Sequence, residues 1–124
     1  MKNNIGFSVA IVDDEADFVK LLLMLLKKRG IPVSFVAYDG REAVEKYKGA
    51  DIKPDVILMD HHMQTMNGIE TMRIILSNNG NIKIIFLSAD AHVRDEALKA
   101  GACIFLNKPA SIGEIVNAIK SCNT

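Results

Sequence analysis

Acidic residues follow two of the apolar stretches in this chain. Val56–Met59 is an unbroken apolar run that ends at Asp60, and the mostly apolar Phe7–Val12 ends at Asp13 and Asp14. Short runs of this kind are typical of strands in a parallel sheet that is covered on both faces. A carboxylate after such a strand lies at the edge of the sheet where open α/β folds bind ligands. These three carboxylates are therefore candidates for chemistry.

Two more polar residues follow later apolar stretches. Ile82–Leu87 is followed at once by Ser88, and Cys103–Leu106 is followed one residue later by Lys108. The carboxyl ends of parallel strands lie along one edge, so Ser88 and Lys108 are expected near the three carboxylates. Each of these residues alone is common in a turn or as a solvated charge. It is their predicted position at one edge of the sheet that indicates a functional site.

Crowded carboxylates repel one another unless a cation lies among them. Oxygen ligands suit Mg²⁺, which takes few protein oxygens and keeps several waters. The ammonium group of Lys108 suits a phosphoryl oxygen, and the hydroxyl group of Ser88 can donate a hydrogen bond to one. With a free carboxylate, these groups predict a site that receives a phosphoryl group and takes Mg²⁺ as its cofactor.

Helical patterns separate the apolar stretches. A second strand is predicted over Val33–Ala37, and a fourth helix is predicted to run from its cap to about Lys99. The first helix is predicted over Ala16–Lys28, with Gly30 as the residue that ends it. The caps predicted for the four later helices are Asp39, Asn67, Asp90, and Ser111 with Glu114. Five strands alternating with five helices predict an α/β fold of the (βα)5 type. Its doubly wound five-stranded parallel sheet has the order 2-1-3-4-5, with helices on both faces.

Length and composition limit the classes of protein. The 124 residues predict one domain, and 15 basic residues balance 15 acidic ones, which argues against direct nucleic-acid binding. The N-terminal apolar run is interrupted by Gly6 and Ser8, and no stretch approaches the ~20 apolar residues of a membrane span. A cytoplasmic protein without membrane contact is expected. Cys103, placed inside the fifth strand, and Cys122 are expected to be reduced thiols.

Four motifs occur in order at the strand ends. They are Val12-Asp13-Asp14-Glu15, Leu58-Met59-Asp60 with Met63 and Gly68, Leu87-Ser88-Ala89, and Phe105-Leu106-Asn107-Lys108-Pro109. Any one motif is weakly specific, but the ordered set, from Phe7 to the last helix, resembles the chemotaxis-type receiver domain of two-component response regulators. The resemblance implies a single receiver domain over residues 1–124 without an effector domain.

The resemblance also implies a role for each site residue. Asp60 is the expected phosphoacceptor. Mg²⁺ is expected to be bound by Asp14 directly, by Asp13 mainly through water, by Asp60, and by the backbone carbonyl of His62. Lys108 is expected to pair with the phosphoryl group.

The resemblance implies a conformational switch. Ser88 is expected to move and hydrogen-bond the phosphoryl group, and Phe105 to turn inward in response. The peptide bond before Pro109 is expected to be cis, as is typical of the family. His62 and Asp90 occupy the positions that tune hydrolysis of the acyl phosphate.

The loop after Asp60 departs from the family pattern, because Met63 is followed by Gln64 where a Pro is usual. The pair His61-His62 is not expected to bind zinc, since adjacent residues on an extended segment point to opposite sides. His62 is expected at the mouth of the site.

The first helix is apolar nearly all round, so part of its apolar surface is expected to face a partner. In receivers this helix docks the histidine kinase or histidine phosphotransfer protein, and Phe18, Leu21 and Leu25 are the residues expected to do so. The face formed by helix 4, strand 5 and helix 5 is expected to bind an unknown downstream protein, and a phosphorylation-dependent dimer is a further association open to it.

Three other classes share parts of the pattern. A pseudo-receiver would keep the fold without being phosphorylated, and it is the alternative to the switch hypothesis. A phosphatase like the haloacid dehalogenases needs a second Asp two residues after its nucleophile, where this chain has His62, and it usually has a cap domain. A flavodoxin-like cofactor site is disfavoured because Asp13-Asp14-Glu15 would repel a phosphate. The leading hypothesis is a phosphoacceptor switch rather than an enzyme.

Overall fold

The computed structural model describes residues 7–123. The strands are β1 (Val9–Val12), β2 (Val33–Ala37), β3 (Val56–Asp60), β4 (Lys83–Ser88) and β5 (Ile104–Asn107). The helices are α1 (Ala16–Lys28), α2 (Gly40–Gly49), α3 (Gly68–Asn78), α4 (Arg94–Ala100) and α5 (Ile112–Asn123), with a 3₁₀ turn at Ala91–Val93. All pairings are parallel and the strand order is β2-β1-β3-β4-β5, which confirms the predicted topology.

The side chains of successive strand residues pack into two hydrophobic cores in turn, one on each face of the sheet. On β3, Ile57 and Met59 pack with α2, α3 and α4, whereas Val56 and Leu58 pack with α1 and α5. This alternation follows from the period of two in a strand, and the continuous apolar run follows from burial on both faces. The predicted helices on both faces are therefore confirmed.

The helix caps were mostly predicted correctly. Asn67 and Glu70 form a reciprocal capping box at α3, and the carboxylate of Asp39 accepts a 2.8 Å hydrogen bond from the backbone N–H of Glu42. The prediction of one continuous helix from Asp90 was wrong. The Asp90 carboxylate accepts from the N–H of His92, only two residues on, so the chain first makes a 3₁₀ turn and α4 begins at Arg94.

Strand boundaries shift by one or two residues from the apolar runs. β1 begins at Val9, the first residue paired with both β2 and β3, so Phe7 lies outside the strand. β3 extends to Asp60, which pairs with Leu87. The placement of Cys103 inside β5 was wrong, because pairing with β4 begins at the next residue and Cys103 is exposed.

The bond between Lys108 and Pro109 is cis, as expected. Within residues 7–123, no helix is both long and apolar enough to cross a membrane.

Candidate functional site

The three predicted carboxylates meet at the carboxyl edge of the sheet. β1 and β3 are neighbours, with Val12 opposite Met59, so the residues that follow them lie side by side. Asp13, Asp14 and Asp60 each offer an oxygen, and these oxygens lie within 4.8 Å of one another. Asp13 and Asp60 are buried, whereas Asp14 is exposed. One carboxylate is therefore open to solvent and two are held within the protein.

Lys108 reaches into this acidic cluster from the loop after β5. Its Nζ lies 2.8 Å from Asp13 Oδ2, 3.3 Å from Asp60 Oδ1 and 3.5 Å from Glu15 Oε1. The ammonium group also lies 4.8 Å from the centroid of the Phe18 ring. Glu15 had not been assigned to the site, although it continues the acidic run after β1. The Lys108 ammonium group is thus shared by the carboxylates of Asp13, Glu15 and Asp60, so the site keeps an excess of negative charge.

The electrostatic environment perturbs both the expected acceptor and its cation. Burial, reinforced by the charge of Asp13, raises the pKa of Asp60 from 3.8 to about 6, although the Lys108 ammonium opposes this shift. Burial also tends to lower the pKa of Lys108, but hydrogen bonds and the charges of Asp13 and Asp60 outweigh it and raise that pKa. A cation among the carboxylates would favour their ionised forms. Three clustered carboxylates, one of them exposed, are a donor set that fits Mg²⁺.

Ser88 ends β4, whereas Phe105 lies on the neighbouring β5 opposite Phe86, two residues before the strand end. Ser88 is buried at the end of β4, and its Oγ accepts a 3.0 Å hydrogen bond from the backbone N–H of Asp90. The half-buried ring of Phe105 stacks on Phe86, with 6.3 Å between centroids and an interplanar angle of 18°. The Ser88 hydroxyl oxygen therefore fixes the beginning of the loop after β4 by a hydrogen bond, and the Phe105 ring packs against the core.

The two histidines after Asp60 occupy different environments. The exposed His62 places its Nε2 3.4 Å from Asp90 Oδ2, so it connects the loops that follow β3 and β4. His61 is buried, its ring centroid lies 5.8 Å from that of Phe86, and within residues 7–123 its Nδ1 has no hydrogen-bond partner. Burial, and next the charge of His62, lowers the pKa of His61.

The loop from His61 to Asn67 is held close to β3 at Gly68, just after it, and to α2 through Thr65. A Cβ on Gly68 would lie 2.2 Å from the Asp60 carbonyl oxygen, so only glycine allows α3 to begin this close to β3. Thr65 has a positive φ of 71°, and its Oγ1 accepts a hydrogen bond from the Arg41 N–H at 3.1 Å and donates to Asp39 Oδ1 at 3.4 Å. The loop that lacks the usual Pro is thus attached to the beginning of α2, a contact that the sequence analysis missed.

The predicted partner surface adjoins the site. Leu21 and Met24 are exposed by 49% and 51% on the outer face of α1. Phe18 and Leu25 are half-buried and line a shallow groove of about 150 Å³ between α1 and α5. Phe18 also borders a cavity of about 360 Å³ next to Lys108. The groove and Lys108 therefore share a contact with one aromatic side chain, Phe18.

Comparison with known proteins agrees with this geometry. Residues 9–120 match the family model of the response regulator receiver domain. The chain is 42% identical over 116 residues to the chemotaxis protein CheY of Thermotoga maritima, across 92% of this chain and 95% of that protein. It is 33% identical over 118 residues to the transcriptional regulatory protein LnrK of Bacillus subtilis, but spans only 53% of that longer protein.

A solved structure extends the similarity to three dimensions. A chain of the CheX-CheY-BeF3-Mg²⁺ complex from Borrelia burgdorferi has a TM-score of 0.89 and 31% identity, across 95% of this chain and 90% of that one. The strand order and the acidic cluster at the sheet edge agree with this similarity and with the match to the family model. The chain therefore belongs to the response regulator receiver domains, the CheY-like signal-receiving domains of two-component systems.

Proposed function

We propose that Asp60 accepts a phosphoryl group from the phosphohistidine of a histidine kinase or histidine phosphotransfer protein. The observation that carries this proposal is the buried Asp60 carboxylate, which lies 3.3 Å from the ammonium group of Lys108. A carboxylate oxygen of Asp60 would attack the phosphorus atom while the bond from phosphorus to the histidine nitrogen breaks. The ammonium group of Lys108 would leave its carboxylate partners in part and pair with the phosphoryl oxygens.

The same edge of the sheet would hold Mg²⁺ during the transfer. Asp14 and Asp60 would bind the ion directly, Asp13 mainly through water, and the backbone carbonyl of His62 would complete the protein ligands. When bound, Mg²⁺ offsets the charge of the carboxylates and of the phosphoryl oxygens. The presence of Mg²⁺ in the Borrelia complex supports this choice of ion.

Phosphorylation would act as a switch through Ser88 at the end of β4 and Phe105 within β5. The Ser88 hydroxyl would give up its contact with the Asp90 N–H and donate to the phosphoryl group, and the ring of Phe105 would turn inward. Such a step shifts an equilibrium between two conformations. His62 and Asp90, whose side chains lie 3.4 Å apart, would limit the access of water to the acyl phosphate, which would set its lifetime.

The phosphodonor would dock on α1, through Phe18, Leu21 and Leu25. The exposure of Leu21 and the groove beside Phe18 and Leu25 support this assignment. Leu21→Ala should slow transfer from a kinase but not from acetyl phosphate, which needs no docking surface. Equal slowing with both donors would contradict it. The signal would leave through α4, β5 and α5 to a protein partner, or through a phosphorylation-dependent dimer.

The intact mass after incubation with Mg²⁺ and acetyl phosphate tests the proposed acceptor. We expect one phosphoryl adduct on the wild type and on the control Asp17→Asn, which changes an exposed carboxylate of α1. Asp60→Asn should gain none. If the wild type remains unmodified while it binds Mg²⁺, the chain is a pseudo-receiver. An adduct on Asp60→Asn would place the acceptor elsewhere.

A further inference from the structure

The loop between β3 and α3 contains a backbone conformation that is unusual for its residue type. Thr65 has a φ of 71°, and within residues 7–123 it is the only residue other than glycine with a positive φ. The N–H of Met66 donates a 2.9 Å hydrogen bond to the carbonyl of Gln64, two residues earlier, so Thr65 is the centre of a three-residue turn. A positive φ is sterically unfavourable for a β-branched residue, and the surrounding structure must therefore stabilise this turn.

The hydroxyl group of Thr65 connects the turn to the beginning of α2. Its Oγ1 accepts a 3.1 Å hydrogen bond from the N–H of Arg41 and donates to Asp39 Oδ1 at 3.4 Å. The first N–H groups of a helix have no partner within the helix, and the Asp39 carboxylate already accepts from the N–H of Glu42. Thr65 therefore caps a second N–H group of α2, from a position 24 residues away in the sequence.

The next residue of the loop packs against the same turn of α2. A Cβ on Gly40 would lie 2.9 Å from the carbonyl oxygen of Met66, so the close approach of the two backbones needs a glycine. At the other end of the loop, the N–H of Gly68 donates a 2.9 Å hydrogen bond to the carbonyl of His61. Residues 62–64 thus connect two attached points of the chain.

We propose that Thr65 is a positioning residue for Mg²⁺ binding, a role that rests on the function proposed above for Asp60. There the loop contributes the backbone carbonyl of His62, and a backbone carbonyl is oriented only by the conformation of its own chain. The segment itself restricts this conformation weakly, because residue 64 is not a proline and, within residues 7–123, its N–H donates no hydrogen bond. The bond from Thr65 to α2 restricts the loop before Mg²⁺ binds, which reduces the conformational entropy that binding costs.

Two substitutions at Thr65 separate its hydroxyl group from the rest of the side chain. Thr65→Val replaces the hydroxyl with a methyl group and Thr65→Ser keeps it, and since Thr65 is exposed neither change disturbs a core. Thr65→Val should raise the dissociation constant for Mg²⁺ about 3- to 10-fold, whereas Thr65→Ser should stay within about twofold of the wild type. The measurement is a titration with MgCl2 at constant ionic strength, followed by the backbone amide NMR signals of Asp13, Asp14 and Asp60.

Amide hydrogen exchange tests the connection to α2 in the absence of Mg²⁺. Because the Arg41 N–H donates to Thr65 Oγ1, it should exchange faster in Thr65→Val than in the wild type and in Thr65→Ser. The N–H of Glu114, which donates to the Ser111 hydroxyl at the beginning of α5, is the matched control and should keep its rate in all three chains.

A proline in the loop provides a second, independent variant. Gln64→Pro fixes one φ angle of the segment and, within residues 7–123, removes no hydrogen bond of the Gln64 N–H. Introduced together with Thr65→Val, it should recover most of the lost affinity for Mg²⁺, although the Arg41 N–H still exchanges rapidly. This result would separate the conformation of the loop from the capping of α2.

Two results would overturn the role of Thr65 and leave the function of Asp60 intact. One is a Thr65→Val chain that binds Mg²⁺ as tightly as the wild type. The other is a loss of affinity that Thr65→Ser shares or that Gln64→Pro fails to reverse, because the loss would then not come from the hydroxyl group or from the freedom of the loop. A wild type without a saturable response to Mg²⁺ and without a phosphoryl adduct would instead overturn the proposed function, and this role with it.

Discussion

At the scale of single residues, the surroundings of Asp60 disfavour the ionised form of its carboxyl group and raise its pKa. Asp60 lies beside Asp13 in a buried site, and Lys108 compensates only in part because it also pairs with Asp13 and Glu15. A carboxylate that must act as a nucleophile has to be ionised. The fold therefore holds the proposed nucleophile in an environment that disfavours its ionised form, and a bound cation would favour that form.

This arrangement predicts that Asp60 lowers stability at neutral pH. Its pKa is raised from 3.8 to about 6 in the folded protein, so the folded state binds more protons between these values. The free energy of unfolding should therefore fall as the pH rises through this window. Without Mg²⁺, Asp60→Asn should raise the free energy of unfolding at pH 7 by roughly 1 to 2 kcal/mol, a value reduced for solvent screening.

Urea unfolding at pH 7 and near pH 4 measures this effect. The gain from Asp60→Asn should shrink near pH 4, where the folded wild type is largely protonated at this position. Asp51→Asn, which changes an exposed carboxylate in the loop before β3, should have little effect at either pH. If Asp60→Asn is less stable than the wild type at pH 7, the ionised Asp60 carboxylate does not lower the stability of the fold.

At the scale of elements, the beginning of α3 depends on one glycine. A Cβ at Gly68 would lie 2.2 Å from the Asp60 carbonyl oxygen and 2.8 Å from the ring of Phe86. Gly68→Ala should therefore push α3 away from β3 and lower the free energy of unfolding by about 1 to 3 kcal/mol, as overpacking does.

Gly49, at the end of α2, is the matched control for this substitution. A Cβ there meets nothing within 4 Å, so Gly49→Ala should be neutral or add up to ~1 kcal/mol through helix propensity. Urea denaturation of both variants measures the difference. Equal stability of the two variants would show that α3 can shift without cost.

At the scale of the whole molecule, Mg²⁺ should stabilise the fold through the joined ends of β1 and β3. A ligand that binds only the folded state adds ~2.7 kcal/mol at a hundred times its dissociation constant. Asp14 is exposed, so Asp14→Asn should abolish most of this gain without disturbing the core. Thermal unfolding with MgCl2, against NaCl of equal ionic strength, is the measurement.

Asp17→Asn is again the control, because it removes a nearby exposed carboxylate outside the acidic cluster. It should keep the full response to Mg²⁺. If Asp14→Asn responds as strongly as the wild type, the stabilisation is a general effect of the salt rather than binding at the strand ends.

The element order, the sheet topology and the residues at the strand ends could be predicted from the amino-acid sequence alone. These follow from local signals: apolar runs, cap residues and the rule that parallel strands end at one edge. Asp13, Asp60 and Ser88 could be placed in one site for this reason. The prediction of a continuous helix from Asp90 was wrong because the Asp90 carboxylate accepts a hydrogen bond from the His92 N–H, two residues later, and the chain turns there.

The partners of the individual side chains depend on the folded structure and could not be predicted. The bond from Lys108 to Asp13 joins residues 95 positions apart, and the attachment of Thr65 to the beginning of α2 joins residues 24 positions apart. Such contacts depend on packing and rotamers, so the raised pKa of Asp60 could not be predicted from residue types and spacing.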